Sequence, residues 1–205
     1  MEDVLEVYAQ PYDPQRPVIC FDEQPVQLTA EVRTPLPTAP GRPRRIDYEY
    51  RRAGTCNLFL CFEPLAGWRH VDVTAQRTAQ DFADQMKALV DVHYAAAQRI
   101  AVVLDNLSTH SPAALYQSFR PEEALRILKR LEFHYTPKHG SWLNMAELEL
   151  SILTRQCLDR RIPDPDILRR EIAVWERERN GARAKVHWRF SVAKARSKLH
   201  RLYPA

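Results

Sequence analysis

Three acidic residues stand where carboxylates could bind divalent metal ions. Asp22 follows the apolar run at 18–21, Asp105 follows a second apolar run at 100–104, and Glu147 lies where a helical pattern begins. Carboxylate oxygens are ligands that Mg²⁺ prefers, and Mg²⁺ takes its remaining ligands from water and substrate phosphate. Two such ions about 3.5–4 Å apart can activate a nucleophile and stabilise the leaving oxygen of an in-line displacement. The trio therefore indicates phosphoryl-transfer chemistry on nucleic acid.

The elements around these acids predict how they could meet. A continuous apolar run is typical of a buried strand, and ligands of open α/β sheets bind at the carboxyl ends of strands. We expect Asp22 and Asp105 to stand at two such ends, converging if their strands are adjacent and parallel. Glu147 on a nearby helix would complete an all-oxygen site. An aspartate after a strand is more often a turn former or a helix cap than a metal ligand. The metal site is therefore indicated by the three acids together and not by any one of them.

The order of elements predicts an α/β fold with a five-stranded mixed sheet flanked by helices. The first three strands are close enough to be antiparallel neighbours, whereas the later ones are separated by helices and are expected to be parallel. Strands are predicted at 17–22, 55–62, 68–73, 100–104 and 132–135. Helices are predicted within 1–15, from a Thr78 cap to about 94, at 121–130, 142–158 and 165–179, and from a Ser191 cap to about 202.

The short sequence motifs that flank the acids, called words below, indicate a function more specifically than the acids themselves. They are Phe21-Asp22-Glu23, then Asp105-Asn106 with His110 four residues on, and Trp142-Leu143-Asn144-Met145-Ala146-Glu147 after Pro137. In their order and spacing these words resemble the DDE transposases of the Tc/mariner superfamily, in its bacterial insertion-sequence branch. The resemblance covers about residues 17–160.

This resemblance implies an RNase H-like fold with Asp22, Asp105 and Glu147 as catalytic and metal-binding residues. It implies two Mg²⁺ ions, for which Mn²⁺ can substitute, and a reaction in which water and then a DNA 3′-hydroxyl attack phosphodiester bonds. Asn106 and His110 would either orient Asp105 or contact DNA. Lys138 and His139 precede the third word and could meet phosphate.

The chain departs from the family pattern at two points. The 42 positions from Asp105 to Glu147 exceed the usual spacing, and Met145-Ala146 stands where Pro-Ile is commoner. Neither departure removes a metal ligand. Glu149 lies on a different side of the predicted helix, so Glu147 is preferred, with Glu23 and Glu149 as alternatives that could assist the metal site.

Basic residues are concentrated in two places. Residues 151–205 hold 14 Lys and Arg against 6 Asp and Glu, whereas residues 1–150 hold 16 against 20. A basic C-terminal segment beside an acidic N-terminal one favours a polyanion partner, although a solvated helical surface would have the same charge composition. The proline-rich segment 33–47 predicts an extended loop between the first two strands. Its Arg42, Arg44 and Arg45 resemble the core of a minor-groove hook, or form a solvated loop.

Composition limits the remaining classes. The 205 residues allow one substantial core, which we divide into an N-terminal arm at 1–16, a catalytic domain at 17–160 and a basic helical C-terminal extension at 161–205. The chain shows neither a membrane-length apolar run nor a secretory signal, which predicts a cytoplasmic, nucleoid-associated protein and no membrane partner. The four cysteines lack metal-site spacing and are expected to be buried thiols.

The predicted partner is double-stranded DNA, both transposon ends and target, bound by a homodimer. Because the sequence starts close to the first catalytic strand, we expect the N-terminal helix-turn-helix module of such transposases to be missing or supplied by a separate fragment. Two alternatives stay open: an RNase H-like nuclease that only hydrolyses, and a non-catalytic DNA-binding derivative of a transposase.

Overall fold

A mixed β-sheet forms the centre of the protein. The computed structural model describes residues 1–202, and within them five strands pair in the order β3-β2-β1-β4-β5. The strands are β1 (Val18–Glu31), β2 (Tyr50–Glu63), β3 (Trp68–Thr74), β4 (Ile100–Leu104) and β5 (Leu131–Tyr135). β1, β2 and β3 pair antiparallel, whereas β1 with β4 and β4 with β5 pair parallel. The predicted α/β class and pairing directions are confirmed.

Strand β1 is longer than the sequence predicts. It pairs with β4 only over Val18–Cys20 but continues along β2 to Glu31. The expectation that Asp22 ends its strand is therefore wrong, because the strand runs on beyond it. Beyond Cys20 one side of β1 has no strand partner, which is why Pro25 is tolerated inside the strand.

Seven α-helices lie within residues 1–202. They are α1 (Glu2–Ala9), α2 (Ala79–Ala88), α3 (Pro112–Ser118), α4 (Pro121–Leu128), α5 (Met145–Leu153), α6 (Pro165–Gly181) and α7 (Val192–Lys198). α2 and α5 each continue into a π-helical turn, at Leu89–His93 and Thr154–Leu158, and short 3₁₀ turns occur at Ser141–Leu143 and His200–Leu202. Thr78 and Asp81 form the capping box of α2, as expected from the Thr78 cap. Helix α3 was not predicted from the sequence, although Pro112 directly after Ser111 is a helix-start signal.

Helices cover both faces of the sheet and create two cores. All five residues of β4 are buried, as expected for a strand with helices on either side. One core includes α1 and α6, and the other includes α2, α3 and α4. Val4 and Leu5 of the segment assigned as an arm, and Leu168 and Trp175 of the assigned extension, are buried in the first core. The last three residues of that extension lie outside the described residues.

Helix α6 lies along β3, which is an edge strand of the sheet. The side chain of Asn180 accepts a hydrogen bond from the backbone nitrogen of Arg69 at 2.8 Å and donates to its oxygen at 2.8 Å. The Glu176 carboxylate accepts a bond from the Val71 nitrogen at 2.9 Å. Side chains of a helix thus satisfy backbone groups that an edge strand would otherwise expose.

The segment between β1 and β2 is an exposed loop that folds back on itself, whereas an extended loop was predicted. Backbone hydrogen bonds join Leu36 to Arg45 and Ala39 to Arg42 in both directions. Gly41 turns the chain with a φ of +71°, a left-handed conformation that glycine adopts without strain. The loop therefore holds its arginines on an ordered turn.

The prediction of buried cysteines is confirmed. All four cysteines are buried free thiols. Among the helices of residues 1–202, not one has the length and apolarity needed to cross a bilayer.

Candidate active site

Asp22 and Asp105 lie side by side on neighbouring strands. Cys20 of β1 and Val103 of β4 are register partners in a parallel pair, so residues two positions further along each strand are again neighbours. Those residues are Asp22, within β1, and Asp105, directly after the last residue of β4. The lateral convergence predicted from the sequence is present, although only Asp105 follows a strand end.

Asn144 ties helix α5 to strand β1. Its side-chain oxygen caps the helix by accepting a bond from the Ala146 nitrogen at 3.1 Å. Its amide nitrogen donates to the Phe21 carbonyl at 2.8 Å and lies 3.4 Å from Oδ2 of Asp22. Glu147 is in the first turn of this helix and is therefore brought toward Asp22.

The role of Asn144 was not identified from the sequence. Asparagine three residues before a glutamate is the spacing of a helix start, and that signal would have moved the predicted helix start from Trp142 to Met145.

The protonation behaviour of Asp22 reflects its surroundings. Burial raises the pKa of Asp22 to about 7, the backbone N–H of Glu23 opposes the rise, and the negative charges of Asp105, Glu23 and Glu147 add to it. Like charges disfavour ionisation only when they are near. The structure thus gathers the three predicted acids into one electrostatically coupled group, with Asp22 half-buried and Glu147 exposed.

His110 links the site to a second acid. Its side chain is 1% exposed, with Nδ1 2.6 Å from Oδ1 of Asp105 and Nε2 2.9 Å from Oε2 of Glu23. Burial opposes the charged form, but the hydrogen bonds to Asp105 and Glu23 raise the pKa of His110 to about 9. The imidazole is packed against Phe21 and Phe82, so it orients Asp105 and is not accessible to DNA.

The two alternative acids are occupied elsewhere. The Glu23 side chain is 3% exposed and faces His110, as expected for a residue that points to the opposite side of the strand from Asp22. Glu149 is fully buried and paired with Arg69 and Arg179. Both carboxylates are therefore paired with basic side chains, which supports the preference for Glu147.

The other predicted site residues make no side-chain hydrogen bond or ion pair with the three acids within residues 1–202. Asn106, Lys138 and His139 are exposed, and none has a side-chain hydrogen bond or ion pair within residues 1–202. The arginines Arg42, Arg44 and Arg45 are exposed on the loop beyond Glu31. That strand end is nine residues past Asp22, or roughly 30 Å at the usual rise of a strand. Within this chain the loop does not reach the acids.

The acids suit a hard divalent cation. They offer only oxygen donors, and the pKa of Asp22 is raised by burial and further by the neighbouring carboxylates, whose repulsion a bound cation would relieve. Among residues 1–202 no set of three His, Cys, Asp or Glu is arranged to enclose a metal ion by itself. Mg²⁺ does not need such an enclosure, because it is usually held by one or two carboxylates, water and substrate phosphate.

Comparisons with known proteins agree with this geometry. The family model described as DDE superfamily endonuclease matches residues 17–169. No curated protein matches the sequence.

Solved structures with the same fold are complexes of Mos1. The Mos1 mariner paired-end complex with Mn aligns at a TM-score of 0.57 and 16% identity, covering 88% of this chain and 55% of that one. The Mos1 transposase paired-end complex with left transposon end gives 0.58 and 14%, covering 89% and 56%. The Mos1 strand transfer complex gives 0.56 and 14%, covering 80% and 48%.

The chain therefore spans about half the length of those proteins. The likeness confirms the RNase H-like fold. With the match over residues 17–169, the chain belongs to the DDE superfamily endonuclease family.

Proposed function

We propose that this chain is the catalytic domain of a transposase that cleaves DNA and joins the cut 3′ end to a target, in a metal-dependent reaction. The observation that carries the proposal is the placement of the acids: Asp22 in β1 is a lateral neighbour of Asp105, directly after β4, and Glu147 is in the first turn of α5, which Asn144 ties to β1. The family match over residues 17–169, which include all three acids, supports the proposal of an endonuclease activity.

Asp22, Asp105 and Glu147 are the residues that would hold two Mg²⁺ or Mn²⁺ ions. Such ions lower the pKa of bound water and stabilise the charge that develops on phosphate and leaving oxygens. Coupled carboxylates of this kind repel one another until a cation is present, so the chain itself favours metal binding.

The chain holds each aspartate by one oxygen. Oδ1 of Asp22 accepts the Glu23 N–H at 2.8 Å, and Oδ1 of Asp105 lies 2.6 Å from His110. Oδ2 of Asp105 has no hydrogen-bond partner among the described residues, and Oδ2 of Asp22 meets only Asn144 at 3.4 Å. One carboxylate oxygen of each residue is therefore fixed while the other can turn toward a ligand, which favours preorganised binding.

The further parts of the proposal concern partners and setting. We propose double-stranded DNA as substrate, because the structurally similar Mos1 complexes contain a transposon end. A homodimer on DNA, a separate helix-turn-helix fragment, membership of the bacterial insertion-sequence branch and a cytoplasmic, nucleoid-associated location belong to the same proposal. Lys138, His139 and the loop arginines are proposed phosphate contacts because they are exposed and cationic or polar.

The test is cleavage of a terminal-repeat duplex with Mg²⁺ or Mn²⁺, compared between the wild type and Asp105→Asn. We expect cut ends with the wild type and none with the variant. Equal cleavage by both proteins would exclude Asp105 as a ligand. Adding a target duplex distinguishes the alternatives, because a transposase joins the ends, a hydrolytic nuclease only cuts, and a non-catalytic derivative does neither.

A further inference from the structure

A buried ion triad lies behind the helix that carries Glu147. Glu149 of α5 and Arg69 of β3 are both 0% exposed, with Arg69 Nε 2.9 Å from Oε1 of Glu149. Arg179 near the end of α6 donates to the same carboxylate, to Oε1 at 2.7 Å and to Oε2 at 3.0 Å. Three elements that are distant in sequence thus meet at one carboxylate.

Arg69 extends this connection into the backbone. Its guanidinium donates to the carbonyls of Gly67 at 3.0 Å and Ala184 at 2.7 Å, and to the side chain of Asn180 at 3.2 Å. The triad is therefore fixed to the β2–β3 turn and to the chain on both sides of the end of α6. Since its attachment points belong to several elements, the Glu149 carboxylate has a defined position in the fold.

A buried ion pair is weak support for stability, because apolar residues of similar volume often serve as well. Its better-attested use is to specify one arrangement among several. Besides this triad, helix α5 has apolar contacts with the core and two polar contacts at its start, from Asn144 and from the Met145 nitrogen to the Tyr8 hydroxyl at 3.5 Å. A 3.3 Å bond from Gln24 to Thr154 holds the turn that follows the helix, so the triad is the polar contact made by the helix's own middle. One polar anchor fixes the start of a helix, whereas a second also fixes its rotation.

We infer that Glu149, held between Arg69 and Arg179, sets the rotation of α5 and thereby the direction in which Glu147 points. Residues two apart on a helix are separated by about 200° around its axis. Any rotation that moves Glu149 away from its arginines therefore turns Glu147 by the same angle. Arg179 is a positioning residue in this scheme, and the inference rests on the proposed metal-binding role of Glu147.

Arg179 is the part of the triad that can be changed with least harm to the fold. Its side chain is 19% exposed, and Glu149 keeps Arg69 as partner when Arg179 is replaced. We expect Arg179→Gln to raise the Mn²⁺ concentration for half-saturation by roughly tenfold, the lower end for residues that support metal ligands. We also expect kcat of DNA cleavage to fall while KM for DNA stays unchanged.

Arg177→Gln is the matched control, since it removes the same charge from an exposed position on the same helix. A loss of general DNA attraction would affect both variants, whereas a shift in Mn²⁺ binding is expected only from Arg179→Gln. Arg179→Lys keeps the charge but not the two-point contact, so an intermediate shift is expected.

Mn²⁺ binding is measured directly by electron paramagnetic resonance without DNA, with circular dichroism to check folding. A folded Arg179→Gln that binds Mn²⁺ like Arg177→Gln would overturn the inference. Where Arg179→Gln does not fold, Arg179→Lys decides, and wild-type Mn²⁺ affinity in it counts against the inference. A wild type that binds Mn²⁺ but never cleaves DNA refutes the proposed function alone, and one that binds no Mn²⁺ refutes both.

Discussion

His110 shows how one buried side chain can hold a carboxylate of the proposed metal site. It lies between Asp105 and Glu23, and its own side chain is 1% exposed. Its pKa of about 9 keeps it positively charged at neutral pH, because the two carboxylates outweigh the cost of burial. A cation of this kind both orients Asp105 and neutralises part of the surrounding negative charge.

We expect His110→Phe to lower DNA cleavage by roughly 10–100-fold, as is common when the support of a metal ligand is removed. Phenylalanine keeps the packing against Phe21 and Phe82 but offers no hydrogen bond to Asp105. Glu23→Gln is the comparison, because it leaves the His110–Asp105 contact in place. Cleavage rates at saturating Mg²⁺ would reveal the difference, and equal rates for His110→Phe and the wild type would contradict the role.

Asp22 predicts a pH dependence of stability in metal-free protein. Its pKa rises from 3.8 to about 7, first because it is buried and then because of the neighbouring acids. The folded state therefore holds the proton more tightly, so this stabilisation is complete below pH 3.8 and is lost as the pH rises through about 7. The loss is at most about 4 kcal/mol at 1.36 kcal/mol per pKa unit.

This dependence can be measured by urea unfolding between pH 4 and pH 8 in the presence of a chelator. We expect the wild type to lose stability across this range and Asp22→Asn, which has no proton to release, to lose less. Mg²⁺ should reduce the loss in the wild type. Identical pH profiles for the two chelated proteins would show that Asp22 is not the titrating group.

At the scale of single elements, the stability and position of helix α5 depend on its N-cap residue, Asn144. We expect Asn144→Ala to lower the free energy of unfolding by about 0.5–2 kcal/mol through loss of the cap. It should also abolish the tie to Phe21 and reduce cleavage. Asn144→Ser retains a capping oxygen but does not replace the amide donor, so it should recover stability more than activity. Parallel recovery of both would show that the cap alone matters.

The edge of β3 predicts a second element-scale effect. Replacing Asn180 or Glu176 with alanine leaves backbone groups of Arg69 or Val71 without their partners. We expect a loss of about 1 kcal/mol for each variant and increased self-association through the freed edge. Glu178→Ala on the exposed side of the same helix is the control. Urea unfolding and light scattering would test this, and monodisperse variants as stable as the control would contradict it.

The elements also show what could be predicted from the sequence. Local signals were sufficient to predict the start of α2, because Thr78 is its N-cap as expected. They were also sufficient for β4, whose five apolar residues match the predicted strand. The length of β1 could not be predicted, because β2 stabilises its polar second half across the sheet. In the site, the contact of His110 with Asp105 was one of two expectations for that residue, and the structure contains it. The Glu23 partner of His110 and the arginine partners of Glu149 could not be predicted, since they depend on side chains brought together only by folding.

At the scale of the whole molecule, the C-terminal part of the chain is integral to the core. Leu168, Ile172 and Trp175 are buried with residues of β1 and β2. Each such side chain contributes about 1.5–3 kcal/mol when fully buried, and a domain is stable by only about 5–15 kcal/mol. A chain ending at residue 160 should therefore lose cooperative unfolding. A soluble, cooperatively unfolding fragment 1–160 would instead support the predicted domain at 17–160.

The buried ion triad at Glu149 determines when, during synthesis of the chain, the proposed metal site can be completed. Asp22, Asp105 and Glu147 all leave the ribosome before Arg179, which follows Glu149 by 30 residues. At about 5–20 residues per second, that interval lasts roughly 2–6 seconds. On the proposed role of Arg179, a nascent chain carries all three proposed catalytic acids during this delay, but the direction of Glu147 is not yet fixed. Cutting activity would then begin only once the second half of α6 has been made and has docked on β3.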